Sequence, residues 1–156
     1  MKKPWYHEGL HFGCVQCGRC CTGAPGYVWV TAEEIKRLAK AKGMTPRQFR
    51  LEFVVDYGEK MSLAERPNYD CVMLEDGRCS VYDCRPRQCR TFPFWKHNIK
   101  NRRAWKRAAR ECPGVDHGRL YGLEEIRHIL EDGGQTDDAA PPESAPDEQR
   151  CGDPSP

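Results

Sequence analysis

The chain has 156 residues, a net charge of +2 and 38% hydrophobic residues, with a mean hydropathy of -0.81. This length suits about one domain with a thin apolar core, and no stretch is long and apolar enough to span a bilayer. No apolar run follows the two N-terminal lysines, which argues against a secretory signal peptide. We therefore expect a cytoplasmic protein without membrane association.

Cysteine is unusually frequent, with ten residues in the chain. This share is still below the level typical of a secreted disulfide scaffold. In a reducing compartment, clustered cysteines indicate metal or redox chemistry rather than disulfides. If the protein were exported by another route, four or five disulfides would be the alternative.

A cluster of four cysteines within eight residues follows an irregular N-terminal arm: Cys14, Cys17, Cys20 and Cys21. Thiolates are strong ligands for zinc and for iron–sulfur clusters. On a helix, Cys14, Cys17 and Cys21 would share a face, whereas Gly18 and Gly23 favour a loop or one short turn. In either geometry the side chains of adjacent Cys20 and Cys21 point in different directions. One of the two can then serve a second site or support the ligands of the first.

Two helices with clear start signals come next, after a short predicted strand at residues 26–31. Thr31 and Glu34 form a capping box, which predicts a helix from about 32 to 42. Thr45 and Gln48 form a second box with Pro46 between them, which predicts a second helix to about residue 55. These helices carry no evident chemistry and supply core.

A β-hairpin is predicted around Asp76-Gly77, which lies between β-prone runs at 71–74 and 79–82. A two-residue loop pairs Leu74 with Cys79 and places Cys71 and Cys79 on opposite faces. A three-residue loop pairs Glu75 with Cys79 and places both thiols on one face. The sequence leaves both registers open.

Cys89 lies between two prolines, Pro86 and Pro93, and we expect a rigid loop around it. A buried thiolate site is anionic, so positive charge or hydrogen-bond donors must offset it. Arg85 and Arg90 are the candidates for that role beside a bound cofactor.

The segment 85–110 contains ten lysines and arginines and no acidic residue. Two tryptophans, Trp95 and Trp105, lie within it. Cations neutralise phosphates and tryptophan stacks on unpaired bases, so this segment is a candidate surface for nucleic acid or an acidic partner. The alternative is a solvated cationic face.

The last predicted helix covers about residues 122–130, after Cys112-Pro113-Gly114, and has an acidic first turn. From Glu131 onward there are eight acidic residues and one basic residue. Residues 134–156 have no apolar pattern, which predicts a disordered acidic tail. We therefore expect a metal-binding domain at 1–133 and a tail at 134–156.

Several linked motifs resemble the CxxCxxCC cysteine-cluster family, also called the YkgJ type and described as zinc- or iron-chelating. They are Cys14-x-x-Cys17-x-x-Cys20-Cys21, Cys71-Val-Met-Leu, Gly-Arg-Cys79-Ser-Val-Tyr, Arg85-Pro-x-x-Cys89-Arg-x-Phe-Pro and Cys112-Pro-Gly. The resemblance implies eight metal ligands: Cys14, Cys17, Cys20, Cys21, Cys71, Cys79, Cys89 and Cys112. Cys84 and Cys151 fall outside this set.

The expected fold is α+β: a small, irregular, metal-stabilised domain with a β-hairpin and three to four short helices. The expected function is chelation of an iron–sulfur cluster, with 4Fe–4S favoured and zinc as the alternative, in a structural or redox role. Two other functions stay open. One is a metal-dependent enzyme in which Arg85 or Arg90 orients a substrate. The other is a zinc-stabilised nucleic-acid-binding module that uses residues 85–110.

Overall fold

The computed structural model of the chain describes residues 2–22 and 26–132, and the predicted tail at 134–156 lies outside them. The described part confirms the α+β class. Its helices are α1 (Ala32–Ala41), α2 (Pro46–Phe53), α3 (Arg87–Thr91), α4 (Lys96–Ile99), α5 (Arg102–Glu111) and α6 (Leu123–Asp132). Its strands are β1 (Leu10–Phe12), β2 (Trp29–Val30), β3 (Val54–Tyr57), β4 (Lys60–Leu63), β5 (Leu74–Glu75), β6 (Arg78–Cys79) and β7 (Arg119–Tyr121). Among these residues no helix is long and apolar enough to cross a membrane.

The described residues divide into two compact units. The first unit contains residues 2–20 and 91–132, and the second contains residues 21–22 and 26–90. The first unit has its own core: Leu10, Phe12, Phe94, Ile99, Trp105, Val115 and Ile126. The second unit has another: Val30, Ile35, Leu38, Ala39, Phe49, Leu63, Met73 and Val81.

Helix α1 begins at the predicted capping box. The hydroxyl of Thr31 accepts a hydrogen bond from the backbone N–H of Glu34 at 3.2 Å, and the Glu34 carboxylate accepts one from the N–H of Thr31 at 2.8 Å. These two bonds satisfy backbone donors that the first turn leaves unpaired. Ile35, Leu38 and Ala39 are buried, so this helix contributes to the core as predicted.

Helix α2 begins at its predicted box but ends at Phe53, two residues earlier than expected. Val54–Tyr57 instead forms β3, which pairs with β4, and β2 pairs with the other edge of β4. Val54 and Val55 are β-branched and favour the extended strand. Gly58 supplies the positive φ of the connecting turn.

The predicted hairpin is present as β5 and β6. Leu74 pairs with Cys79 and Glu75 with Arg78, so the loop has two residues. Asp76 and Gly77 have φ angles of 49° and 75°, which is the left-handed pair that a type I′ turn needs.

The predicted rigid loop around Cys89 is wrong, because residues 87–91 form helix α3. The carbonyl of Pro86 accepts hydrogen bonds from the N–H groups of Cys89 and Arg90 at 2.9 and 3.0 Å. Proline at the start of a helix loses nothing by having no N–H, so Pro86 starts the turn rather than breaking it.

Besides α3, the basic segment contains α4 and most of α5, and the sequence predicted neither of them. Asn101 caps α5 by accepting a hydrogen bond from the N–H of Ala104 at 2.8 Å. Trp105 is buried on the inner face of α5, and its Nε1 donates to Asp116 at 2.7 Å. This bond ties α5 to the segment that follows Cys112.

Candidate metal centre

None of the eight cysteines predicted as ligands forms a disulfide bond: Cys14, Cys17, Cys20, Cys21, Cys71, Cys79, Cys89 and Cys112. Cys84, which the prediction left outside the ligand set, is disulfide-bonded, and Cys151 lies outside the described residues. Four of the eight cysteines belong to each unit, and the boundary between the units falls between the adjacent residues Cys20 and Cys21.

In the first unit, three glycines bring the chain before Cys14 against the chain after Cys112. The N–H of Gly13 donates to the carbonyl of Gly114 at 3.0 Å. A Cβ atom on Gly114 would overlap the carbonyl oxygen of Gly13, and one on Gly118, whose φ is +80°, would lie 2.7 Å from the Cα of Gly13. Only glycine permits this approach, which positions Cys14 beside the Cys112 segment.

Backbone N–H groups favour negative charge on the sulfur atoms of both cysteines. The N–H of Gln16 donates to the Sγ of Cys14 at 3.4 Å, from a residue with a φ of +53° that is uncommon for a side chain of this size. The backbone N–H groups of Gly114 and Val115 act to lower the pKa of the Cys112 thiol, and the N–H of Val115 donates to the Cys112 carbonyl at 3.2 Å. Such bonds stabilise negative charge on sulfur, as they do around thiolate ligands.

The pKa of the Cys112 thiol is shifted by burial and by neighbouring groups. Burial raises the pKa of Cys112, the backbone hydrogen bonds from Gly114 and Val115 act against that rise, and the charges of Cys17 and Cys14 add to it. Cys14, Cys17 and Cys112 are therefore near enough for their thiolates to repel one another. A cation bound among them would turn that repulsion into attraction.

In the second unit, Cys21 and Cys71 are joined through their backbones, because the N–H of Cys71 donates to the carbonyl of Cys21 at 2.7 Å. The chain turns immediately afterwards, where the N–H of Leu74 donates to the carbonyl of Cys71 at 2.9 Å. The two-residue loop therefore determines on which face of the hairpin the Cys79 side chain lies, but it does not determine the face of Cys71. The alternation of a regular strand does not extend back through this turn.

Helix α3 carries Cys89, and three hydrogen bonds fasten it to the rest of the second unit. The Gln88 amide accepts from the N–H of Trp29 at 3.0 Å and donates to the carbonyl of Tyr27 at 2.7 Å. The N–H of Arg87 donates to the buried carboxylate of Glu34 at 2.8 Å. Cys71 and Cys79 pack against the core of the same unit.

The two arginines predicted near the thiolates differ in their surroundings. The Nε of Arg85 donates to the carbonyl of Tyr82 at 2.9 Å, and the guanidinium lies 3.9 Å from the centre of the Tyr82 ring. The Nε of Arg90 is buried and has no hydrogen-bond partner in the described part of the chain. Burial, followed by the charge of Arg37, lowers the pKa of Arg90.

The thiols fit a metal centre by chemistry and by backbone placement. Within residues 2–22 and 26–132, no three side chains of histidine, cysteine, aspartate or glutamate are arranged to hold an ion as they stand. The donor set nevertheless consists of thiols that form no disulfide, and at Cys14 the sulfur atom already accepts a backbone N–H group. Binding a metal would require the cysteine side chains to draw together, and the backbone bonds of Gly13 with Gly114 and of Cys21 with Cys71 already hold two pairs of chain segments side by side.

Sequence reasoning missed the glycines at 114 and 118 and the roles of Glu34 and Arg37. The glycine signal was visible in the spacing Cys112-Pro-Gly-x-x-x-Gly, but its partner, Gly13, is remote in sequence. Glu34 was recognised only as a helix cap. Its second bond goes to Arg87, and only the fold brings these two residues together.

A family model named CxxCxxCC, described as a domain with a proposed zinc- or iron-chelating role, matches residues 13–113. The matched range contains all eight cysteines predicted as ligands. No solved structure matches the chain.

Proposed function

Because this chain belongs to the CxxCxxCC family, we propose that it is a metal-chelating protein that holds iron–sulfur clusters through cysteine thiolates, in a structural or redox role. The observation that carries the proposal is that the eight cysteines outside disulfide bonds fall four within each unit. Four thiolates are the ligand set of a four-iron cluster and also of a structural zinc ion.

We assign the first set to the first unit: Cys14, Cys17, Cys20 and Cys112. The close backbone contact of Gly13 with Gly114 supports this grouping, since it holds the segments of Cys14 and Cys112 together. The electrostatic effect of Cys14 and Cys17 on Cys112 supports it further.

The second set comprises Cys21, Cys71, Cys79 and Cys89. The backbone bond between Cys21 and Cys71 and the anchoring of α3 to β2 and α1 support this grouping. This grouping is also consistent with the different directions of the adjacent Cys20 and Cys21 side chains, because each of the two then binds a different centre.

We favour 4Fe–4S clusters over zinc. Three cysteines spaced by two residues form the run that wraps a cube in ferredoxins, whereas zinc sites more often pair two CxxC motifs. A cube also holds its ligand sulfurs farther apart than one ion does, so it requires less movement of the thiols. A bound cluster would supply electron transfer or a cross-link between chain segments. Zinc is the alternative.

Arg85 and Arg90 are the positive side chains that we propose to offset the charge of the second set, since Arg90 follows Cys89 directly and Arg85 lies four residues before it. The metal-binding domain would extend over residues 1–133, with the acidic tail at 134–156 outside it. We also propose a cytoplasmic location, because eight of the nine described cysteines form no disulfide and a reducing compartment keeps such thiols reduced.

Anaerobic purification of the full chain, followed by a visible spectrum and by iron, sulfide and zinc assays, tests the proposal. We expect brown protein with iron and acid-labile sulfide in equal amounts. Colourless protein that contains zinc would support metal chelation but refute the iron–sulfur cluster. Folded protein that contains neither metal would refute the proposed function as a whole.

One observation favours a second candidate function, the binding of nucleic acid. Four cations lie on one exposed stripe of α5: Arg103, Lys106, Arg107 and Arg110. None of them forms an ion pair with a described residue. Anisotropy titration of a labelled single strand tests this candidate. Binding should weaken as salt rises and should be lost when Arg103 and Arg107 become glutamate.

A further inference from the structure

The two proposed thiolate sets differ in how far the fold covers them. In the first set only Cys112 is partly buried, and the other three cysteines are exposed: Cys14, Cys17 and Cys20. In the second set all four cysteines are partly buried: Cys21, Cys71, Cys79 and Cys89. A dissolved ligand therefore reaches the first set more easily than the second.

The cysteine loop, which we define as residues 14–20, lies outside the core of the first unit. Of the first set, only Cys112 packs against that core. Val15, which follows the first cysteine of the loop, is 59% exposed, and the short 3₁₀ turn Arg19–Cys21 contains no buried residue. The loop therefore gains little stabilisation from the burial of apolar surface.

Few hydrogen bonds hold the cysteine loop in place. Residues 14–17 form one hydrogen bond within the described part of the chain, and it is local, from the N–H of Gln16 to the Sγ of Cys14 at 3.4 Å. Gln16 also has a φ of 53°, a conformation that costs free energy for a residue with a side chain. A segment with few buried contacts and few hydrogen bonds opens at low free energy. We therefore expect the loop to open while the rest of the first unit stays folded.

The second set is held by the surrounding fold instead. Cys71 and Cys79 pack against the core of the second unit, and the N–H of Cys71 donates to the carbonyl of Cys21 at 2.7 Å. Cys89 lies on α3, which the Gln88 amide fastens to the chain at residues 27 and 29 by two hydrogen bonds. Exposure of these thiols requires these contacts to break, which costs more free energy than opening the cysteine loop.

We propose that the first set is an exchange site, at which the protein takes up and releases metal as cargo, whereas the second set keeps its metal as part of the fold. The incoming ligand is a small thiol, since thiolate is the donor type that the metal already has. Each exchange replaces one cysteine: the thiol gives up its proton and binds the metal, and the displaced cysteine thiolate takes up that proton. Thiolate number and charge at the metal stay the same, so no oxidant or reductant is needed. The inference rests on the proposed function and assigns different roles to its two centres.

The test uses the full-length, metal-loaded protein under argon, with excess dithiothreitol as the small thiol. The metal that stays with the protein is measured after rapid gel filtration at successive times. We expect two phases of equal amplitude, with the first at least about tenfold faster than the second. In a parallel sample iodoacetamide replaces dithiothreitol and alkylates thiols as they become accessible. Peptide mass spectrometry should find Cys14, Cys17 and Cys20 alkylated before Cys71 and Cys79.

Variants assign the two phases to the two sets. Cys17→Ser should lack the fast phase, and Cys79→Ser should lack the slow one. Gly18→Ala keeps every ligand but strains the cysteine loop, because the φ at this position is 74°. It should speed the fast phase about fivefold and leave the slow phase unchanged. Gly43→Ala is the matched control, because its φ is also positive, at 67°, and a Cβ there meets nothing within 4 Å; it should change neither phase.

A single phase would overturn the inference, and so would a fast phase that persists in Cys17→Ser or an earlier alkylation of Cys71 or Cys79. Equal rates for Gly18→Ala and Gly43→Ala would overturn it as well. If Cys17→Ser does not fold, Gly18→Ala and the order of alkylation still decide the result. Folded protein that holds no metal refutes the proposed function, whereas loaded protein whose two centres exchange at the same rate refutes this inference alone.

Discussion

Gly13 and Gly114 are in direct backbone contact, with the N–H of Gly13 donating to the carbonyl of Gly114 at 3.0 Å. This contact continues the pairing of β1 with β7, since Phe12 bridges to Val115 and the N–H of Asp116 donates to the carbonyl of His11 at 3.0 Å. The proposed first thiolate set thus depends on a ladder between two distant parts of the chain. No side chain fits between the two glycines.

Gly114→Ala should disrupt the first set. The new Cβ would overlap the carbonyl oxygen of Gly13, so the strands must separate at a cost of about 1–3 kcal/mol. We expect the metal of the first set to be lost while that of the second set stays. Gly26→Ala is the matched control, because a Cβ there meets nothing within 4 Å. Metal analysis and urea unfolding of both variants measure the effect, and full metal content in Gly114→Ala would contradict it.

An exposed ion pair predicts a pH dependence in the first unit. Arg119 donates to both carboxylate oxygens of Glu125, at 2.5 and 3.1 Å, and these bonds lower the pKa of Glu125. A carboxyl group whose folded-state pKa is depressed stabilises the fold above its unfolded-state pKa of about 4.3. That contribution is lost as the pH falls through the lower folded-state value.

Glu125→Gln should therefore lower the free energy of unfolding at neutral pH by about 0.2–1 kcal/mol, since the pair is exposed. The difference from wild type should vanish in acid. Urea unfolding at several pH values between neutrality and acid measures it. Glu131→Gln, on the same helix and exposed, is the control for charge. A difference that persists unchanged at low pH would show that the ion pair is not its cause.

Alanine substitutions at two nearby positions on α2 should differ greatly in their effect on stability, because only one of the two side chains packs in the core of the second unit. Phe49 is fully buried and Leu51 is 77% exposed. Phe49→Ala should destabilise the protein by about 3–5 kcal/mol, because it opens a cavity. Leu51→Ala should change stability by less than about 0.5 kcal/mol. Chemical denaturation compares the two, and similar losses would mean that α2 does not pack as described.

The sequence was sufficient to predict the features that are defined by a few adjacent residues, namely the helix starts and the hairpin turn. The capping boxes at Thr31 and Thr45 predicted both helix starts, since the bonds that define a box span only three residues. Asp76-Gly77 predicted the hairpin for the same reason. The register, left open, is explained by the positive φ angles of those two residues.

Prediction from the sequence failed where a contact between residues far apart in the chain determines the local structure. The extent of α2 depends on the pairing of Val54 with Leu63 across a hairpin, which competes with the helix. Pro86 alone suggests a break in regular structure, because the conformation of residues 87–91 decides whether a proline starts a helix. The candidate metal ligands were predicted from sequence motifs. The division into two sets that we propose rests on the contacts of Cys21 with Cys71 and of Gly13 with Gly114, which join residues remote in sequence.

The most direct measurement of the central claim is the metal content of two single-cysteine variants, one from each set. Cys17→Ser removes a ligand of the first set and Cys79→Ser one of the second, and Leu51→Ala, an exposed residue outside both sets, is the control. If two four-thiolate centres exist, each ligand variant keeps about half of the wild-type metal and the control keeps all of it. A variant that keeps everything, or one that loses everything while it remains folded, would contradict two independent centres.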